Sequence, residues 1–365
     1  MVRVRWLDGT LTSELLGLAD ADADAHWIGI RRHQALLAVA GIGVMAQWLL
    51  RARGSLFELL VGALLVLAAA PSGDGRSVGE HAAALARFGA RSRWSRISLV
   101  EGGHGFLVDA RGRGGFCAYR LEHRGRLDLS GRDVAVASGL AALVDAIGVG
   151  GPSRHVAVHV QSPSAGGATM LSIPPEAAVP EGWSTTANLA YEVAGVVPTG
   201  PTMVLERWRY VRTPDALAAT LRIRDFSASP KGRALLERLQ VTPYHLTLAV
   251  HVDVVAGTRA KRVVERAVHR SKSDGAASLA AGFRRTQRVE GRFERVAQRE
   301  TLVASGRALV RIAVYVTVRG ETVDDLVASV RSVSLAARAS GLRCDRGGGR
   351  QIEWHCFQLP GGPGW

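Results

Sequence analysis

Leu246–Val254 reads LTLAVHVDV and Val310–Val318 reads VRIAVYVTV, and the fold class follows from their alternation. In the first, Leu246, Leu248, Val250, Val252 and Val254 are all apolar, while Thr247, His251 and Asp253 fall between them. Side chains on a strand alternate between its two faces, so this is the signature of a strand with one face on a core and one in water. Val310, Ile312, Val314, Val316 and Val318 repeat it. Between the two lies a long helical stretch, Thr258 to about Ala304, with a break expected near Ser273 to Gly275. Thr322 to Asp325 forms a capping box ahead of Leu326, Val330, Val333 and Ala337 on one helical face, and Gly341 is the stop. Ile352 to Leu359 reads as a last strand. This order predicts an α+β unit, a sheet layered with helices on one face in the ferredoxin-like manner.

Working toward the N-terminus, 162–201 is rich in Pro, Gly and Ser and reads as a loop or junction. Val156, Val158 and Val160 mark a strand, Leu140 to Ala146 a helix, and ISLVE, GFLVDA and FCAYRLEH short strands joined by glycine-rich turns. GEHAAALARFGARSRW places Ala82, Leu85 and Phe88 at helical spacing beside Arg87, Arg91 and Arg93, a basic amphipathic helix.

Ahead of it, ALLAVAGIGVMAQWLL (35–50) and SLFELLVGALLVLAAA (55–70) are separated by Arg51, Ala52, Arg53 and Gly54. Each would rise roughly 24 Å against a hydrocarbon core of ~30 Å, so a spanning reading needs flanking residues or a thinned bilayer. Gly41, Gly43 and Gly62 suit close helix approach. The expected architecture is therefore an N-terminal cytosolic segment (1–33), a transmembrane hairpin (34–71), a basic amphipathic helix (72–95), a first α/β domain (96–200) and a second α+β domain (201–365). That places the chain in the plasma membrane with both termini cytoplasmic, against a buried soluble hairpin as the alternative. No secretory signal precedes the hairpin, since 1–30 carry Asp8, Asp20, Asp22 and Asp24 and no apolar core before a cleavage site.

The net charge is +14, and Lys231, Lys261 and Lys272 are the only lysines among 46 basic residues. From Thr258 to Thr301 twelve cations (Arg259, Lys261, Arg262, Arg266, Arg270, Lys272, Arg284, Arg285, Arg288, Arg292, Arg295, Arg299) face five anions (Glu265, Asp274, Glu290, Glu294, Glu300), half of the excess. Phe283, Val289, Phe293 and Val296 form the apolar stripe there, so the cations are either solvated or meet an acidic protein, lipid or nucleic acid. Stacking aromatics are scarce in this stretch, which weakens single-strand binding.

Cys117, Cys344 and Cys356 are odd in number and lack metal or disulfide spacing. No lysine ends a phosphate-cradling glycine loop, because Lys231, Lys261 and Lys272 follow Pro230, Ala260 and Ser271. The match to GxSxG at 75–79 lacks the strand and helix that a nucleophile elbow needs. His251 with Asp253, and His155 with His159, share strand faces and could ligate a metal or exchange protons; without a third ligand the bland reading is a solvated face. His355 and Cys356, adjacent on a strand, would point apart. No catalytic residue, metal or cofactor is assigned.

The hairpin with GRSVGEHAAALARFGARSRW resembles the PrgI-type membrane proteins of Gram-positive conjugation systems. HRSKSDGAASLAAGFRRTQRVEGRFERVAQRETLVASGRALVRIAVYVTV with GRQIEWHCFQLPGG is similar to the pre-motor region of actinobacterial CagE/TrbE-type conjugation ATPases, where a Gln and a Leu-Pro-Gly-like turn correspond to Gln351, Leu359, Pro360 and Gly362. The family often has Gly-His where this sequence has Gly306-Arg307, and the resemblance implies that the motor is a separate polypeptide. The resemblance implies a non-catalytic structural component of a secretion or conjugation (type IV-like) apparatus, docking a separate ATPase alongside other subunits, lipid or further copies of itself. The EccE-type subunit of type VII secretion shares the two-helix start and is the competing resemblance; a membrane-tethered nucleic-acid-binding protein is the alternative of another class.

Overall fold

The computed structural model describes residues 26–27, 30–50, 56–70, 77–90, 94–97, 99–102, 105–108, 115–121, 142–144, 146–147, 155–162, 169–174, 177–179, 183–185, 202–224, 226, 234–235, 238–239, 242–255, 257–280, 282 and 287–358. The elements in order are β1 (His26–Trp27), β2 (Ile30–Arg31), α1 (Arg32–Leu50), α2 (Leu56–Ala69), α3 (Val78–Ala90), β3 (Trp94–Ile97), β4 (Leu99–Gly102), β5 (Gly105–Val108) and β6 (Gly115–Leu121). There follow β7 (His155–Gln161), β8 (Thr169–Ile173), β9 (Trp183–Thr185), β10 (Thr202–Glu206), β11 (Val211–Arg212), β12 (Leu217–Arg224) and β13 (Leu246–Val255). Last come α4 (Gly257–Ala280), α5 (Gln287–Ala304), β14 (Leu309–Gly320), α6 (Val323–Ala339), β15 (Arg343–Asp345) and α7 (Gln351–Gln358).

The fold class is α+β on an antiparallel sheet, with the strand order β3-β10-β11-β12-β14-β13-β7-β8-β6-β5-β4. The ends of that order, β3 and β4, are separated in the chain by Ser98 alone, so the sheet curls back on itself. At its centre β13 pairs with β14 over ten residues, from Leu246↔Val318 to Val255↔Leu309. β15, β12, β14 and β13 lie side by side, and β12 and β13, both antiparallel to β14, run parallel to each other across it. The helical pair α4–α5 is inserted between the antiparallel neighbours β13 and β14.

One face of the sheet carries the main core. Val156, Val158, Leu248, Val252, Val314 and Val316 meet Ala260 and Val264 of α4, Val303 of α5, and Leu326, Val333 and Ala337 of α6, all buried. The helices form where apolar spacing and caps direct. The Thr322 hydroxyl accepts the Asp325 N–H, and Gly341, at φ 71°, ends α6 as the left-handed stop. The break expected at Ser273 to Gly275 is absent, since α4 runs through these residues to Ala280; Gly275 is retained inside it because a Cβ there would sit 2.6 Å from Phe293 Cζ on α5. The long junction expected over 162–201 contains β8 and β9.

The expected transmembrane hairpin is overturned, because no helix among the described residues is long and apolar enough to cross a membrane. α2 has 14 residues, a rise of roughly 21 Å; α1 has 19 but opens with Arg32, His33 and Gln34, leaving roughly 24 Å of apolar length against a ~30 Å core. The placement as a two-helix plasma-membrane protein with cytoplasmic ends falls with it. The helices do pack as a pair: a Cβ at Gly41 would lie 2.8 Å from the Gly62 carbonyl and one at Gly62 2.6 Å from Met45 Cγ, whereas Gly43 faces open space. Leu36, Leu49, Leu56 and Phe57 are at least 70% exposed, so the pair keeps an apolar outer surface. The cytosolic segment expected over 1–33 lies almost wholly outside the described residues, as do Arg51, Arg53, Arg91 and Arg93.

Two further corrections concern the C-terminal layer. Residues 352–359, read as a strand, fold as α7 through Gln358. Strand β13, read as half-solvated, is covered on both faces, since Thr247 and His251 are buried as fully as Leu248.

Candidate functional site

The histidines are where sequence and structure differ most. β7 and β13 pair in the register Asp253↔His155, His251↔Ala157 and Ala249↔His159, which sets His155, His159, His251 and Asp253 on one face. The two pairs thus join into one array. His155 Nε2 lies 3.1 Å from His251 Nδ1 and the two rings stack at 5.1 Å, while His159 meets His251 edge-on at 5.9 Å. Tyr315 on β14 stands edge-on to His251, and Trp354 on α7 edge-on to Tyr315. On this face His159 and His251 are buried and His155 and Asp253 half-buried; α7 lies over its β12 and β14 side, where Gln351, Trp354 and His355 are all buried, at the i, i+3, i+4 spacing of a helix face.

Chemically His155 and His159 are neutral imidazoles at pH 7. Burial holds His155 down at about 4 and His159 at about 3, with the charge of His155 a second cause for His159. His355 is held at about 3 by burial and then by Arg319. Both ring nitrogens of His159 and of His355 lack a hydrogen-bond partner among the described residues. No group of three or more His, Cys, Asp or Glu side chains among the described residues is placed to hold a metal ion. The Cys344 thiol is pushed up to about 12 by burial, far from thiolate chemistry at neutral pH.

Two other places carry motifs that invite a chemical reading, and in each the residues are engaged structurally. Ser77, central to the GxSxG match, caps α3: its hydroxyl accepts the Glu80 N–H at 3.1 Å, and its own N–H donates to the Glu80 carboxylate at 2.8 Å. The run Arg346-Gly-Gly-Gly-Arg350 precedes the N-terminus of α7, where an anion would be favoured. Buried Glu206 already fills that place, accepting the Ile352 N–H at 3.0 Å. Trp208 covers the glycines, for a Cβ at Gly349 would be 2.4 Å from its ring. The same indole takes His81 and Phe88 of α3 edge-on, both at 5.4 Å, and so ties α3 to the C-terminal layer. Neither Glu206 nor Trp208 stands out in the sequence, because each acts through partners over a hundred residues away.

The basic residues are distributed differently. On α4, Arg259, Lys261, Arg262, Arg266, Arg270 and Lys272 are exposed, opposite buried Ala260, Val264 and Gly275. On α5, Arg295 is exposed and Arg299 half-buried and engaged; the side chains of Arg288 and Arg292 are outside the described set. Arg284 and Arg285 lie in 283–286, also outside it, as do Phe283 and the Val289 side chain. Phe293 packs at Gly275 and Val296 is buried, as an apolar stripe requires. The structure thus gathers six of the twelve candidate cations on the outer face of one helix. The chain matches no family model and no curated protein.

Proposed function

We propose that this chain is a non-catalytic structural component of a translocation apparatus of the conjugation type, which docks a separate motor ATPase. The observation that carries this reading is the outer face of α4, where six cations are exposed and none forms an ion pair with a described residue. Arginines with no ion pair to a described residue, on a helix that is seated on the core by Ala260 and Val264, form a surface suited to an acidic partner. The local likeness of 269–318 and 349–362 to a pre-motor region supplies the kind of partner. The engagement of Ser77 as a cap and the burial of the histidines agree with a docking role.

The test is co-purification of the tagged full chain from its native source, with identification of what stays bound at low salt. An ATPase with a phosphate-binding loop, retained by the wild type and lost on reversal of Arg259, Arg262, Arg266 and Arg270 to Glu, is the expected result. Recovery of the chain with no ATPase rejects the reading.

A further inference from the structure

The six cations of α4 do not form one uniform patch. With about 100° of rotation per residue, Arg259, Arg262, Arg266 and Arg270 fall within an arc of about 80° along one edge of the helix. Lys261 and Lys272 fall on the other edge. Exposed Glu265, the only acid between Arg259 and Arg270, stands at i+4 from Lys261 and at i+3 from Arg262, between the two edges, and no carboxylate lies within the arginine arc itself from Arg259 to Arg270. Along the axis Arg262, Arg266 and Arg270 are each separated by one i, i+4 step, a rise of about 6 Å.

We infer that the arginine edge of α4 is the docking seat for an acidic α-helix of a protein partner, one that presents carboxylates at i, i+4 and i+8. This inference rests on the docking role above and names its partner's chemistry. A helix laid alongside repeats its side chains at the same rise of about 6 Å, so three successive carboxylates meet three guanidinium groups in register. Arginine rather than lysine suits this, because its planar fork takes a carboxylate through two parallel hydrogen bonds. Glu265 next to the row favours protein over nucleic acid: a partner helix can place a cation opposite it, whereas a polyphosphate meets only repulsion there.

The experiment uses the full chain and three labelled probes in fluorescence anisotropy: a helical peptide with Glu at i, i+4 and i+8, a peptide of the same composition with those Glu dispersed around the helix, and a 20-base-pair DNA duplex. The in-register peptide is expected to bind on the order of tenfold tighter than the dispersed one. R262E/R266E/R270E should lose that preference and gain a matching preference for a peptide with Lys at the same positions. This gain separates a lost seat from a lost fold. Equal binding of the two acidic peptides, or tighter binding of the duplex, overturns the inference. The first of these leaves the docking role standing, since that role fails only when no ATPase co-purifies.

Discussion

Gln351 shows how single residues hold this chain together. On its outer edge β12 pairs with β11 at Leu217 and Ala218 and with β15 at Arg222 to Arg224, which leaves Thr220 between the two without a strand partner. The Gln351 amide fills the gap: its carbonyl accepts the Thr220 N–H at 2.9 Å, and its NH₂ donates to the Thr220 carbonyl at 3.2 Å and to that of Arg346 at 2.8 Å. Replacing Gln351 with Ala orphans a buried donor and acceptor and should cost about 2–3 kcal/mol, read as a lower urea midpoint at unchanged slope. Gln351→Glu keeps the shape and one acceptor but loses both donated bonds, so it should not restore stability. The buried imidazoles make a second prediction. Burial depresses His155 and His159 in the fold, while the unfolded chain titrates at about 6.5. On acidification the unfolded state takes up protons first, so stability is complete above about pH 6.5 and falls progressively toward pH 4, by about 2 kcal/mol per depressed imidazole at pH 5. His159→Leu removes one such group, whose nitrogens have no described partner. Urea titrations at pH 7 and pH 5 should show a smaller loss between the two for the variant; parallel losses would sink the account of this array.

At the scale of elements, what the sequence disclosed and what it withheld have distinct causes. β13, β14 and α6 were legible because alternation, heptad spacing and caps are local patterns, and they appear as Leu246–Val255, Leu309–Gly320 and Val323–Ala339. α7 was misread because eight residues with Trp, His and Phe suit either state, and the deciding fact, that Gln351, Trp354 and His355 share a buried side, depends on strands that the local sequence does not contain. The same helix covers the Tyr315 side of the histidine face through Trp354, which the local sequence does not show either. The hairpin of α1 and α2 is legible as a pair of apolar helices, and of Gly41, Gly43 and Gly62 the first and last lie at their contact; its reading as a spanning pair fails because neither helix is long and apolar enough. The α4–α5 pair permits a paired test. Gly275→Leu drives a side chain into Phe293 and should destabilise by about 1–3 kcal/mol. Gly291→Ala on α5 meets nothing within 4 Å and should stabilise by about 0.5–1 kcal/mol through helix propensity. Thermal unfolding of both variants checks the contact, and equal shifts would contradict it.

For the whole molecule, charge and core divide the work. A curled antiparallel sheet is covered on one face by α4, α5 and α6 and over its central strands on the other by α7. The Trp208 indole links α3 to that assembly, and the cations of α4 are turned outward. Binding through that edge should weaken steeply with ionic strength, because exposed ion pairs are screened beyond about 10 Å at 0.1 M salt; a complex insensitive to salt would have to use another surface. The most direct test is site-specific photo-crosslinking in the native cell, with p-benzoylphenylalanine at Arg262 on α4 or at exposed Val327 on α6 as the control. An adduct is expected between position 262 and an acidic helix of an ATPase subunit, and none from position 327. Adducts to nucleic acid, or the same ATPase adduct from both positions, would contradict docking through this edge.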